Sequence, residues 1–342
     1  MNDLLGTAQA VVAGDKGLLA MDESTPTCDK RFATVGIPQT VEARRDYREL
    51  ILTTPRLGES ISGVILYDET IRQKTKDGTP FIKLATDAGL IPGIKVDTGA
   101  KALAGHPNER VTEGLDGLRE RLSEYARLGA RFAKWRAVVV IGEGLPSRGC
   151  VGTNAHALAR YAGLCQEAGL VPIVEAEVLM DGGHGLDRCR DVTEALLREV
   201  FVQLVAQDVL LEGLILKPNM VLPGLQCAQQ SSAEEVARET VRSLLRVVPA
   251  AVPAIAFLSG GQASELASAR LNAMNATFKS RLPWALSFSF ARALQEPALE
   301  IWHGEARNVV AAQEALRHRA QCDRAARRGE YSAAMDLQGT NP

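Results

Sequence analysis

Charged residues recur where the surrounding sequence is otherwise apolar. Lys95 and Asp97, Lys134 and Arg136, and Glu175 and Glu177 are each separated by one residue, while Asp22 closes the run Leu18–Met21 and Lys217 closes Gly213–Leu216. In an extended strand, residues two apart project to the same side. A lysine in such a place can do covalent chemistry: its free amine attacks a ketone, and the resulting iminium withdraws electrons until a neighbouring carbon–carbon bond can break. A neighbouring cation or desolvation favours the free amine, and Lys134 is placed to be that cation for Lys217. A carboxylate must hand protons back and forth, a role that Glu175 fits.

The competing reading is a set of structural ion pairs. Buried charges cost several kcal/mol each unless paired, and apolar residues often replace a buried pair without loss. Lys95, Lys134, Arg136 and Lys217 facing Asp22, Asp97, Glu175 and Glu177 are therefore hard to justify by stability. They read as a catalytic centre. An anion site completes it. Ser259-Gly260-Gly261 ends one apolar run and Arg292 follows another. Glycines let backbone N–H groups approach an anion closely, and phosphate is often bound there when the scaffold is a βα barrel.

The elements that must position these groups follow from periodicity. Apolar runs at Gly17–Asp22, Gly63–Asp68, Pro92–Asp97, Phe132–Val138, Val171–Val178, Gly213–Pro218, Ala254–Gly260 and Ala285–Phe290 read as strands. Amphipathic helices lie between them. One carries Leu115, Leu118, Leu122, Tyr125 and Leu128 on one face; another opens with the capping box Ser232–Glu235. Alternating strands and helices predict a parallel sheet, and eight of them a closed barrel. An open doubly wound sheet is disfavoured because no GxGxxG follows the first strand. The fold class is α/β, a single TIM (β/α)8 barrel over 1–342, with a flexible tail from about 329. Thr70–Thr86 reads as an insertion or lid over one rim.

Composition narrows the function classes. The chain has 342 residues and a net charge of -2, which gives no global field for nucleic acid or acidic membranes. The densest basic stretch, Arg317–Arg328, reads as a solvated helix face. No basic start with a continuous apolar stretch marks the N-terminus, and no segment has the roughly 18 apolar residues of a membrane span. The six cysteines form no CxxC pair and read as free thiols of a reducing compartment. The five histidines show no HxxxH or HxH spacing, and His184 reads as a loop hydrogen-bonder, so no metal is expected. Together these features predict a cytoplasmic location.

Six segments make the sequence recognisable: Leu18–Thr25 (LLAMDEST), Gly93–Gly99 (GIKVDTG), Phe132–Arg136 (FAKWR), Ile173–Val178 (IVEAEV), Leu211–Gly224 (LEGLILKPNMVLPG) and Phe257–Gly261 (FLSGG). From about Leu4 to Tyr331 the chain resembles the class I, Schiff-base fructose-bisphosphate aldolases. The resemblance implies reversible cleavage of fructose 1,6-bisphosphate to dihydroxyacetone phosphate and glyceraldehyde 3-phosphate, with no cofactor beyond a covalent Schiff base at Lys217. It implies Glu175 as principal acid/base with Asp22 and Lys134 as partners, and Glu177 and Asp97 as carboxylates that position lysines. Ser259, Gly260, Gly261 and Arg292 would cradle the ketone-side phosphate; Ser24, Thr27, Lys95 and Arg136, with Asp97, would serve the other. Sugar phosphates are the implied partners, and a homotetramer the implied assembly.

Three departures from that pattern matter. Phe290 and Ala291 stand where tyrosine and glycine are usual, which puts phosphate affinity in question. Pro26 lies where a loop glycine is common. The chain ends Leu337-Gln338-Gly339-Thr340-Asn341-Pro342, without a terminal tyrosine. Two rival readings stay open at this point: another Schiff-base barrel lyase of transaldolase-like or deoxyribose-phosphate aldolase-like type, and a non-catalytic scaffold. Two separate phosphate sites argue against the first, and retention of Lys217, Glu175 and Lys134 against the second.

Overall fold

A computed structural model describes residues 2–337. Helix α1 (Asn2–Val11) precedes β1 (Gly17–Ala20), and α2 (Thr25–Thr34) and α3 (Val41–Leu52) lead to β2 (Ile61–Leu66). Short helices α4 (Asp68–Arg72) and α5 (Phe81–Asp87) connect to β3 (Ile91–Lys95). A hairpin, β4 (Gly99–Ala102) and β5 (Arg110–Glu113), and α6 (Leu118–Leu128) come before β6 (Phe132–Val139). The chain continues through α7 (Arg148–Glu167), β7 (Val171–Val178), α8 (Leu186–Ala206), β8 (Ile215–Pro218), α9 (Ala233–Val247) and β9 (Ala254–Phe257). It finishes with α10 (Ser264–Phe278), β10 (Ala285–Phe290), α11 (Arg292–Trp302), α12 (Val309–Arg328) and α13 (Ala334–Leu337). All strands but the hairpin join in one closed parallel barrel, in the order β1-β10-β9-β8-β7-β6-β3-β2. This is the TIM barrel expected.

Alternation along the strands sorts their side chains into two cores. Leu19, Met21, Val64, Leu66, Ile94, Trp135, Val174, Leu216, Ile255 and Phe288 face the helical layer. Leu18, Ile65, Phe132, Val171, Ile173, Ile215, Ala254 and Ala256 fill the interior, where Leu4, Ala8, Val11 and Val12 of the first helical segment plug the N-terminal end. Gly93 on β3 is required by that packing, because the Phe132 ring occupies the space its Cβ would need. The capping box at the start of α9 forms as read, Ser232 accepting Glu235 N–H and Glu235 accepting Ser232 N–H.

Several local expectations change. Thr70–Thr86 is not a separate lid: it holds most of α4 and all but the last residue of α5, with a turn closed by the Lys74–Pro80 bridge. The element added to the barrel is instead the β4–β5 hairpin, whose Thr112 donates to the Arg136 carbonyl at 2.8 Å. Leu128, at the end of α6, is exposed. The basic stretch of α12 is not uniformly solvated: Arg319 and Arg327 are buried, Arg327 donating to the Val12 and Lys16 carbonyls below the barrel. His184 bonds through its backbone carbonyl to Gly224 N–H, and its ring nitrogens have no partner among the described residues. Five cysteines are buried, Cys227 is partly so, and all are free. Beyond α12, Tyr331 is buried and Asp336 pairs with Arg319, while the expected tail residues 338–342 lie outside the described residues.

Candidate active site

The strand ends bring the charged residues together at the C-terminal rim. Lys95 on β3 is in register with Lys134 on β6, Arg136 with Glu175 on β7, and Glu175 with Lys217 on β8. Asp22, Asp97 and Ser259 lie just past the ends of β1, β3 and β9, a residue or two later than a continuous strand would put them. Free of strand geometry, their side chains can turn inward.

Four of these groups form an alternating chain of charge. Lys134 Nζ lies 2.6 Å from Asp22 Oδ2 and 3.1 Å from Glu175 Oε2, and Glu175 Oε1 lies 3.3 Å from Lys217 Nζ. All four are buried, Lys134 and Lys217 at 3 % exposure and Glu175 at 4 %. Burial pushes the Asp22 and Glu175 carboxyls up, but the lysines Lys134 and Lys217 outweigh it and hold both below the usual carboxylate range. Burial disfavours the Lys134 ammonium, yet Asp22 and Glu175 hold it above the usual lysine range. Lys134 is thus not the bare cation the sequence suggested. Two carboxylates counter its charge, and Glu175 stands between it and Lys217 with one oxygen on each.

A second cluster opens toward solvent. Lys95 Nζ pairs with Asp97 Oδ1 at 2.8 Å, and Asp97 Oδ2 accepts Arg136 N–H at 3.2 Å. Glu177 was expected to position a lysine, but it pairs with Arg136 Nε at 2.5 Å. The Arg136 side chain is 43 % exposed, so its guanidinium stands at the mouth. Ser24 and Thr27, past β1, exchange a hydrogen bond at 3.0 Å. Pro26 occupies the first turn of α2 and not a loop, a place where its missing N–H leaves nothing unsatisfied.

The loop after β9 has the backbone an anion site needs. Gly260 and Gly261 have φ of 60° and 98°, and a Cβ on Gly260 would strike Met180. Successive residues of this kind turn N–H groups into a common concavity. A Cβ on Gly261 would come within 2.9 Å of the Arg292 guanidinium, so glycine lets that exposed arginine close on the loop. Ala291 is the N-cap of α11, with φ of -107° and ψ of -88°. Phe290 is fully buried and packs on Phe288, with ring centroids 5.5 Å apart.

A family model described as fructose-bisphosphate aldolase class-I matches residues 3–341. The chain belongs to the class I fructose-bisphosphate aldolase family. A Xanthomonas campestris protein named "Probable fructose-bisphosphate aldolase class 1" is 58 % identical over 322 residues, 94 % of this chain and 96 % of that one. The Arabidopsis thaliana "Fructose-bisphosphate aldolase 6, cytosolic" is 50 % identical over 336 residues, 98 % of this chain and 93 % of the relative. Among solved structures, the Plasmodium falciparum aldolase, crystallised with TRAP and a small-molecule inhibitor, superposes with a TM-score of 0.95 at 46 % identity. The match covers 97 % of this chain and 96 % of that one.

The aldolase rim also holds residues that strand patterning passed over. Glu23, beside Asp22, is buried and pairs with Arg48 at 2.7 Å and with Arg31, and Gln295 donates to Glu23 Oε1 at 3.0 Å and to the Ala20 carbonyl at 2.6 Å. Burial pushes the Glu23 carboxyl up, and Arg48 and Arg31 bring it below its usual range. This network fixes the end of β1, and with it Asp22. The signal was there: LLAMDE puts two acids after an apolar strand, and only one can face inward. Ser289 Oγ on β10 is buried without a partner among the described residues.

One group among the described residues has metal-ligating types in proximity: His318 and Cys322, a turn apart on α12, with Asp336, all within 4.8 Å. Asp336 already accepts from Arg319 and Tyr331, which makes the trio a clamp on α13.

Proposed function

We propose that this aldolase cleaves fructose 1,6-bisphosphate reversibly to dihydroxyacetone phosphate and glyceraldehyde 3-phosphate through a Schiff base on Lys217. The observation that carries the reading is Glu175, which reaches Lys217 with one oxygen and Lys134 with the other. The Lys217 amine attacks the C2 ketone, and loss of water with a proton from the Glu175 side gives the iminium. A carboxylate then takes the C4 hydroxyl proton, the C3–C4 bond breaks, and its electrons move into the iminium to give an enamine. Glyceraldehyde 3-phosphate leaves first. Protonation of the enamine and hydrolysis release dihydroxyacetone phosphate. The iminium is the electron sink, so the reaction needs no metal or other cofactor.

In this reading Ser259, Gly260, Gly261 and Arg292 hold the ketone-side phosphate, and Ser24, Thr27, Lys95 and Arg136 the other, with Asp97 and Glu177 fixing Lys95 and Arg136. Sugar phosphates are the partners, with no role for nucleic acid or membrane. The assembly is a homotetramer, and the location cytoplasmic, as the name of the Arabidopsis relative has it for that protein. A single domain over 1–342 completes the proposal; sedimentation of the purified chain checks the oligomer. The activity is tested by a coupled cleavage assay. Turnover that survives EDTA and vanishes in Lys217→Met supports the proposal; full inhibition by chelator, or an active Lys217→Met, refutes it.

A further inference from the structure

Next to the loop proposed to hold the ketone-side phosphate lies a buried cation with no ion-pair partner among the described residues. Arg270, on α10, is 3 % exposed. No carboxylate among the described residues pairs with it, and its Nε is buried without a partner. Burial alone presses its guanidinium below the usual arginine range. Buried charge of this kind is costly, and a carboxylate or an apolar replacement would relieve it. Its side-chain hydrogen-bond partner among the described residues is in the loop: Arg270 Nη1 donates to Gln262 Oε1 at 2.8 Å.

Gln262 passes the contact on. It is itself 6 % exposed. Its Nε2 donates to the Ser259 carbonyl at 2.9 Å, and its backbone N–H bonds the same oxygen at 3.1 Å. Those two bonds close the turn Ser259-Gly260-Gly261-Gln262 on itself. Nε2 also lies 3.8 Å from Met220 Sδ, two residues after Pro218 ends β8. Arg270 sits two helical turns after Gln262, and side chains on a helix slant toward its N-terminus, which carries the guanidinium back under the loop. The amide is oriented by this arrangement. With Oε1 held by a donor that cannot become an acceptor, only Nε2 can face Ser259.

We propose that Arg270 is a positioning residue for the ketone-side phosphate. It fixes the Gln262 amide so that the Ser259–Gly261 turn keeps its N–H groups aimed at the anion, and its unpaired charge adds to the field there. Arg270 thus acts on the phosphate through Gln262 and the turn, without touching it. This inference rests on the proposed assignment of that loop to the ketone-side phosphate.

The test separates the two phosphates. In the condensation direction, Arg270→Met should raise KM for dihydroxyacetone phosphate about tenfold, equivalent to about 1.4 kcal/mol. KM for glyceraldehyde 3-phosphate and kcat at saturation should each stay within about twofold, since the variant removes only ground-state phosphate affinity. Arg270→Lys, which keeps the charge, should recover part of the loss. An unchanged KM for dihydroxyacetone phosphate in folded Arg270→Met would overturn the inference, as would equal rises for both substrates. If Arg270→Met does not fold, Gln262→Leu reads the same link, and the same selective rise or its absence decides. Schiff-base trapping of wild type by dihydroxyacetone phosphate and borohydride runs alongside. Its failure would count against the proposed activity, whereas a normal trap with an insensitive Arg270→Met counts against this inference alone.

Discussion

At the N-terminal end of the barrel, Leu4, Ala8 and Val11 meet Leu18, Phe132, Val171 and Ile215 in an apolar cluster. At the other end of the same interior, Lys134, Lys217, Asp22 and Glu175 are just as buried and carry four formal charges. One strand serves both: β6 offers Phe132 to the first region and Lys134 to the second. Apolar packing is indifferent to register at the level of chemistry and yields stability in proportion to area. The charged end yields little net stability, because desolvation consumes most of the Coulomb attraction. It keeps proton donors and acceptors within reach of one another. The barrel is therefore held together at the bottom and operated at the top.

Substitutions at the two ends should separate turnover from stability. The largest effect is expected from Glu175→Gln, which keeps the shape of the bridge and removes its basicity; kcat should fall about 10²–10⁴-fold with a modest change in KM. Steady-state kinetics on the bisphosphate check this, and a variant retaining a tenth of wild-type kcat would assign the base elsewhere. Leu18→Ala, at the apolar end, should do the reverse. Denaturant unfolding should show a loss of about 2–5 kcal/mol with kcat within about twofold. A matching collapse of kcat would mean that the two ends are coupled.

Arg292→Ala should weaken both the bisphosphate and dihydroxyacetone phosphate by about 1.5–3 kcal/mol, the worth of a charged hydrogen bond, visible as KM. Normal KM for both would remove the loop after β9 from the phosphate assignment.

A buried carboxylate away from the rim sharpens the contrast. Asp323 on α12 is fully buried with Ser268 as donor at 2.5 Å and Arg319 only at 3.9 Å; burial pushes its carboxyl up to about 7. The Asp22 and Glu175 carboxyls are depressed, so their contribution to stability is present above the ordinary carboxylate range and is lost as pH falls through their lower folded values. Lys134, raised, contributes below the ordinary lysine range and loses that contribution only above it. Asp323 runs the other way: the folded protein binds its proton more tightly between the ordinary aspartate value of 3.8 and about 7, so stability falls as pH rises through that window. Asp323→Asn should therefore raise the unfolding free energy more at pH 8 than at pH 5, by on the order of 2 kcal/mol in denaturant unfolding. Equal shifts at both pH values would show that Asp323 stays ionised.

The barrel was legible because its strands are apolar on both faces and separated by helices with clear periodicity. The site was legible because charge breaks that rule at positions two apart: Lys134 with Arg136, and Glu175 with Glu177. What escaped was set by long-range pairing. Glu177 pairs with Arg136 across β6 and β7, diagonally to its register partner Val138, which spacing within one strand cannot reveal. Glu23 and Arg48 meet across 25 residues. The β4–β5 hairpin is short and polar, with Lys101 and Arg110 exposed, and lacks the apolar alternation that would mark it.

The central claim is that Lys217 forms the covalent bond, and mass spectrometry after reduction reads it directly. Wild-type enzyme incubated with dihydroxyacetone phosphate and borohydride should lose activity and gain one triose-phosphate mass per chain. Digestion should place the adduct on the peptide containing Leu216-Lys217-Pro218-Asn219, with Lys95 and Lys134 unmodified and Lys217→Met inert to trapping. An adduct on Lys134 would move the chemistry to β6, and a cleaving enzyme that traps nothing would contradict the Schiff-base account altogether.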